Sequence, residues 1–159
     1  MNDRAIPGHW EGDLITGAKN THMATLVERH SRFTLLVKVA GKDTASVVSA
    51  LIPQVQRLPF ALRRSLTWDR GMEMASHRQF TVATKVRVYF CDPHSPWQRG
   101  TNENTNGLLR QYFPKGTELS GYSQADLDKV ALRLNQRPRK RLAFHTPADK
   151  LQASVATTS

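Results

Sequence analysis

The sequence predicts an α/β domain built on a mixed five-stranded sheet flanked by helices. Three strand-like segments joined by short polar connections open the chain, and two later strand-like segments each follow a helix-like stretch. Short turns suffice for an antiparallel meander, whereas strands reached through helices pair in parallel. A chain of 159 residues is about the length of one domain with a single core.

The opening strands are predicted at 9–15, 23–29 and 33–40. Residues 33–39 are rich in β-branched, aromatic and other apolar side chains, which favours the most regular strand of the three. The polar connections between the segments are too short for helical crossovers. A meander is therefore expected.

A helix is expected after Asp43 and Thr44, because apolar residues recur there at helical spacing. They are Val47, Val48, Leu51, Val55 and Leu58. Pro53 interrupts the segment, and a proline removes one backbone donor and disfavours helix at the preceding residue. A kink or an early end at this point is predicted.

The remaining segments alternate between strand and helix before ending in helices. We predict a strand at 65–68, a short helix at 76–84, a strand at 86–91, a helix at 97–112 and a helix at 123–136. Ser123 and the acidic residues that follow it are typical of a helix N-terminus.

Two acidic residues stand at the ends of predicted strands. Asp69 directly follows the apolar strand and leads into Arg70 and Gly71, so it is either a functional acid or a turn-forming aspartate. Asp13 closes the first strand, so it is either a functional acid or an ordinary strand-end acid on the surface. Glu11 lies on the same strand face as Asp13, so the strand period cannot choose between them.

Glu103 lies in a block rich in asparagine and arginine, which is unusual for an ordinary helix surface. Five polar residues of this segment share one helix face by their spacing. They are Arg99, Asn102, Glu103, Asn106 and Arg110. A solvated helix charge is the alternative for Glu103, but the surrounding side chains offer donors that suit phosphate oxygens.

The charge balance favours a polyanionic partner. Lysine and arginine outnumber acidic residues 23 to 13, and the net charge is +10. A basic cluster occupies residues 137–141. DNA contacts are predicted at seven positions, and plain solvated charges are the alternative for the last four of them. The seven are Arg99, Asn102, Asn106, Arg110, Arg137, Arg139 and Lys140.

Other functional classes find little support in the sequence. Cys91 is the only cysteine, which excludes a disulfide framework and a cysteine-based zinc site. The six histidines show no zinc-ligand spacing. Residues 1–7 have no signal-peptide core, and no apolar run approaches the roughly 18 to 20 residues of a membrane span. A soluble, intracellular protein without a membrane partner is expected.

Three converging carboxylates would suit phosphodiester chemistry. Mg²⁺ takes oxygen ligands and is usually held by one or two carboxylates with water and substrate phosphate. Two such ions can activate an attacking oxygen and neutralise a leaving oxygen. Asp13, Asp69 and Glu103, from two strands and a helix, are thus a plausible metal cage.

Several motifs resemble one known family. They are GHWEGD at 8–13, LTWD at 66–69, SPWQRGTNEN at 95–104, NQRPRKRL at 135–142 and TPA at 146–148. In this pattern the chain resembles the transposases of the insertion-sequence-thirty group, which are DDE enzymes with a ribonuclease H-like integrase catalytic core. The similarity covers about residues 6 to 151.

The resemblance implies a function and a set of site residues. It implies Asp13, Asp69 and Glu103 as the metal-binding catalytic triad, with Asp13 chosen over Glu11. Two Mg²⁺ ions, for which Mn²⁺ can substitute, would serve cleavage of DNA at transposon ends and strand transfer into target DNA. Homo-oligomeric assemblies on DNA in the bacterial cytoplasm, at the nucleoid, are implied as well.

The chain also departs from the family. Arg70 stands where members usually have Asn, and residues 80–85 lack the expected glycine-containing turn. Family members carry N-terminal helix-turn-helix regions, whereas this chain starts just before the core. We expect an extension at 1–5, a core at 6–151 and a tail at 152–159. The alternative function is an inactive truncated transposase that regulates by binding DNA or by dimerising.

Overall fold

The structure is a computed structural model that describes residues 6–68, 74–90, 100–138 and 145–158. At 74–75, 100–104 and 154–158 it describes the backbone alone. The strands are β1 His9–Thr16, β2 His22–Glu28, β3 Thr34–Lys38, β4 Ser65–Trp68 and β5 Arg87–Phe90. The helices are α1 Thr44–Gln56, α2 Met74–Thr84, α3 Gly100–Leu109, α4 Gln124–Asn135 and α5 Pro147–Thr158.

The described strands form one mixed sheet in the order β3-β2-β1-β4-β5. The meander β1-β2-β3 is antiparallel. Strand β4 pairs in parallel with β1, and β5 pairs in parallel with β4. The predicted mixed five-stranded sheet is therefore confirmed.

Apolar clusters cover both faces of the sheet. On one face, Trp10 and Leu66 pack with residues of α1 and with Phe80 of α2. On the other face, Ile15 packs with residues of α3 and α4, among them Leu109. Alternation along β1 therefore sends successive side chains to different helix layers.

The sequence predicts a kink or an early end at Pro53; helix α1 continues past Pro53 to Gln56, so the early end is wrong and the kink stays a prediction. The carbonyl that loses its helical donor belongs to Ser49. Ser49 and Pro53 are both exposed, so water can satisfy that carbonyl. At the other end of α1, Asp43 is the N-cap, and hydrogen bonds from Ser46 hold the pKa of the Asp43 carboxyl below its usual range.

Helix α4 closes the sheet edge formed by β3. The buried amide of Asn135 accepts from Thr34 N (2.8 Å) and donates to Thr34 O (2.9 Å). The amide of Gln124 accepts from Lys38 N (2.8 Å) and donates to Leu36 O (2.7 Å). Both ends of the helix thus take the place of a neighbouring strand.

Other elements differ from the predictions in detail. The Ser123 N-cap of α4 is confirmed and completes a capping box with Asp126. Helix α2 begins at Met74, and β5 is shorter than predicted. Helix α5 was not predicted. At the end of α2, where the family pattern led us to look for glycine, Lys85 adopts φ +65°.

A close approach between Gly12 and Trp68 fixes β1 against β4. The two residues are partners in the parallel register. A Cβ on Gly12 would lie well inside van der Waals contact with the Trp68 ring and 3.1 Å from Leu26 Cδ2. Only glycine leaves room for the ring at this point.

We expect Gly12→Ala to lower the free energy of unfolding by about 1 to 3 kcal/mol, because the added methyl overpacks the Trp68 ring. Gly107→Ala is the matched control, since Gly107 is exposed on α3 and a Cβ there meets nothing within 4 Å. That change should stabilise the protein by about 0.5 to 1 kcal/mol. Urea unfolding measures both variants. Equal effects of the two substitutions would contradict the packing argument.

Candidate active site

The Asp13 carboxylate lies at the junction of β1 and α3. Asp13 is partly exposed and points to the sheet face that α3 covers, the face of Ile15. Its Oδ1 accepts from the backbone N–H of Leu14 at 2.9 Å. Its Oδ2 accepts from Nδ2 of Asn106, on α3, at 3.1 Å. The carboxylate therefore links the strand to the helix.

Glu11 lies on the same face but in a different environment. Its side chain is 2% exposed, and its Oε2 lies 3.6 Å from Nε of Arg29. Arg29 also donates from Nη2 to Thr67 Oγ1 at 3.3 Å. Arg29 thereby joins β1 to β4, and Glu11 is a buried partner in that connection.

Sequence reasoning missed Arg29 as a neighbour of the site. The available signal was a cation directly after a largely apolar strand segment; in the structure Arg29 follows β2, all of whose residues are buried. A cation that is mostly buried is costly unless an acid pairs with it, so a buried acid is expected nearby. Sequence alone does not show that Glu11 supplies it.

The second predicted acid, Asp69, lies outside the described residues. It follows Trp68, the last residue of β4. Trp68 is registered with Gly12, which precedes Asp13. The residues that precede Asp13 and Asp69 in the sequence are therefore paired in the sheet.

The third predicted acid, Glu103, lies on α3, where only the backbone is described. Position 103 is one turn before Asn106, so the two positions share a helix face. Helix α3 packs against β1 and β2.

The predicted DNA contacts differ in their surroundings. Arg110 donates to the carbonyls of Thr16 and Phe113, both at 3.4 Å. Arg137 is exposed and donates to Gln111 Oε1 at 3.2 Å. Asn102 has only its backbone described, and three further predicted contacts lie outside the described residues. Those three are Arg99, Arg139 and Lys140.

The atoms near Asp13 that could bind a metal ion are oxygen atoms, which suit a hard cation such as Mg²⁺. Besides the carboxylate, Asn106 Oδ1 is buried and has no hydrogen-bond partner among the described residues. No group of three histidine, cysteine or acidic residues arranged for a metal occurs in the described part of the chain. The side chains of two of the three predicted ligands fall outside that part. The residues that are described fit Mg²⁺.

Comparison with known proteins gives a consistent picture. The family model of the integrase core domain matches residues 3–96. The transposase InsI of insertion sequence element IS30A from Escherichia coli is 60% identical over 158 residues, which are 99% of this chain and 41% of that protein. The transposase of IS1086 from Cupriavidus metallidurans is 57% identical, over 98% of this chain and 46% of that protein. The resemblance to the insertion-sequence-thirty transposases is confirmed.

The chain spans less than half the length of each of these relatives. A solved structure of the simian T-cell lymphotropic virus intasome, in complex with a PP2A regulatory subunit, is similar with a TM-score of 0.69. The similarity covers 91% of this chain and 54% of that chain at 18% identity, which shows a shared fold. Within the described ranges, no helix has the length and apolar character needed to cross a membrane.

We expect Arg29→Met to lower the free energy of unfolding by about 3 to 5 kcal/mol, because it leaves the buried Glu11 carboxylate without its cation. The double variant Glu11→Leu/Arg29→Met should recover most of that loss. Urea unfolding measures the series. Arg133→Ala, at an exposed position on α4, is the control and should change stability by less than about 0.5 kcal/mol. If the double variant is no more stable than Arg29→Met, Glu11 is not the group that Arg29 stabilises.

Proposed function

We infer the function of this chain from its family: it belongs to the integrase core domain family, and we propose that it is the catalytic core of a DDE transposase of the insertion-sequence-thirty group. Its substrates would be the DNA at transposon ends and target DNA. The observation that supports this most is the hydrogen bond between Asp13 on β1 and Asn106 on α3. It brings Asp13, which lies within β1 and not at the predicted strand end, next to the helix that carries Glu103.

Chain adjacency supports convergence of the three acids. Trp68 is registered beside Gly12, and the next residues in the sequence are Asp69 and Asp13. Glu103 precedes, by one helical turn, the asparagine that binds Asp13. One position on β1, one position that follows β4 in the sequence and one position on α3 would thus contribute to one site.

Asp13, Asp69 and Glu103 would hold the divalent ions. When bound, two Mg²⁺ ions, or Mn²⁺ in their place, would activate the attacking oxygen and neutralise the leaving one. Glu11 is assigned no part in this, because it is buried against Arg29. The choice of Asp13 over Glu11 therefore has a physical reason beside the family resemblance.

The proposed reaction has two displacements at phosphorus. In the first, water attacks a phosphodiester at the transposon end, the bond to the 3′ oxygen breaks, and a 3′-hydroxyl is freed. In the second, that hydroxyl attacks a phosphodiester of target DNA and displaces its 3′ oxygen, without a covalent enzyme intermediate. The chain's own contribution is to hold Asp13 in place through Leu14 N and Asn106 Nδ2.

Charge supports DNA as the partner. The net charge of +10 favours a polyanion at long range, and exposed Arg137 can reach a phosphate. We propose that the active form is a homo-oligomer that holds two DNA ends, working at the nucleoid in the bacterial cytoplasm. Arg70, which replaces the family's usual Asn, favours a second candidate: an inactive chain that regulates by binding DNA or by dimerising.

We expect this chain to nick supercoiled plasmid in the presence of Mg²⁺ or Mn²⁺, and Asp13→Asn and Asp69→Asn each to reduce nicking by more than about 100-fold. Loss of a residue that only hydrogen-bonds a metal ligand already lowers metal affinity or activity by about 10- to 100-fold. Changing the ligand itself should therefore cost more. Gel analysis of open-circular product, with chelator added in parallel, measures the effect.

The control is Asp43→Asn, which makes the same chemical change at the exposed N-cap of α1, where asparagine caps equally well. It should nick as the unmodified chain does. Equal nicking by all variants would reject the triad. Absence of nicking in every protein, with DNA binding retained, would favour the regulatory function.

Arg137→Ala should weaken binding to a duplex of arbitrary sequence and reduce the slope of log K against log salt by about one. Arg110→Ala should leave the slope unchanged, because Arg110 is partly buried and its guanidinium is held by two carbonyls, those of Thr16 and Phe113. It should instead cost about 1 kcal/mol of stability. Fluorescence anisotropy at several salt concentrations measures the slopes. A lower slope for Arg110→Ala alone would reverse the two assignments.

A further inference from the structure

We propose that Asn106 is a positioning residue that orients the Asp13 carboxylate for cation binding, and that it does not contact DNA. This inference rests on the proposed function, because it concerns the same acidic site. It changes the role that the sequence suggested for Asn106, which was a phosphate contact.

Two hydrogen bonds from different elements hold the Asp13 carboxylate. Leu14 N binds Oδ1 at 2.9 Å from within β1, and Asn106 Nδ2 binds Oδ2 at 3.1 Å from α3. One donor on each oxygen fixes the rotation of the carboxylate plane, since turning it breaks at least one bond. A carboxylate oxygen has two lone pairs, so one hydrogen bond does not by itself prevent it from binding a cation.

The helix that carries Asn106 is itself fixed against the sheet. Thr105 and Leu109, on either side of Asn106 in α3, are 1% and 0% exposed. Arg110, just after α3, donates to the carbonyl of Thr16 at the end of β1. Asn106 is therefore a rigid donor with respect to the strand that bears Asp13.

The amide orientation follows from chemistry. An ionised carboxylate only accepts hydrogen bonds, so the atom of Asn106 that faces Asp13 Oδ2 is the nitrogen. The other atom, Oδ1, is buried and has no hydrogen-bond partner among the described residues. A buried acceptor left without a donor costs about 1 to 3 kcal/mol, so a donor that arrives with the functional state would relieve the cost.

A hydrated cation held by Asp13 would bring such donors. A phosphate oxygen would not, because it is an acceptor and cannot pair with the buried Oδ1. The arrangement of Asn106 therefore suits a cation bound beside it better than a DNA backbone. The amide is also uncharged, so it orients the Asp13 carboxylate without cancelling its charge.

The test is Mn²⁺ binding to the DNA-free chain, measured by electron paramagnetic resonance of the free ion. Asn106→Ala should weaken Mn²⁺ binding by about 10- to 100-fold, as loss of an outer partner of a metal ligand does. Its affinity for DNA without divalent metal should stay within about twofold of the unmodified chain. Gly107→Ala, at the exposed neighbouring position, should match the unmodified chain in both measurements.

Several outcomes would overturn the inference. Unchanged Mn²⁺ affinity in Asn106→Ala would show that the contact does not position the carboxylate. Reduced DNA affinity with unchanged Mn²⁺ affinity would restore the DNA contact. If the unmodified chain binds no Mn²⁺, the proposed function fails and this inference fails with it. Measuring the unmodified chain first distinguishes that result from a failure of the inference alone.

A second measurement needs no change at Asn106 and so does not depend on how that variant folds. The side-chain amide of Asn106 gives its own ¹H–¹⁵N signals, and these should move in Asp13→Ala when the hydrogen bond is lost. Unmoved Asn106 signals in Asp13→Ala would contradict the contact on which the inference rests.

Discussion

The absence of a side chain at Gly12 is the constraint on which the site depends. The Trp68 ring occupies the space that a Cβ would need, and the two residues are partners in the parallel pairing of β1 with β4. A slip of one residue would bring a side chain under the ring and send every β1 side chain to the wrong helix layer. Because Asp13 directly follows Gly12 in β1, the register that packs the core also sets the position of Asp13 on the face that α3 covers.

Two acids on one face of β1 show how environment separates their roles. Glu11 is buried beside the guanidinium of Arg29, which balances its charge. The same guanidinium donates to Thr67 and so connects β1 to β4. Asp13 is partly exposed and is bound by a backbone N–H and a neutral amide. Neutral donors orient a carboxylate while leaving its charge for an incoming cation, whereas an arginine competes with that cation.

The sequence predicted the sheet well because alternation and helix spacing are local properties, visible in runs such as residues 33–39. It failed where the outcome depended on a distant partner or on solvent. Pro53 does not end α1, because its missing bond lies on the exposed side. The strand period alone could not separate Glu11 from Asp13, since the partner of Glu11 is Arg29, which follows β2. The hydrogen bond from Asn106 to Asp13 could not be predicted, because the two residues are 93 positions apart in the chain.

Side-chain amides on two helices have different roles: one stabilises the β3 edge of the sheet, and the other contacts Asp13. On α4, Asn135 binds both polar groups of Thr34, so the helix protects the open edge of β3 and needs no charge to do so. On α3, Asn106 binds Asp13 with one atom and leaves the other buried without a donor among the described residues. A fully satisfied amide adds rigidity, and a half-satisfied one costs stability unless something binds. The difference between the two asparagines is the physical reason to look for function beside Asp13 and not beside β3.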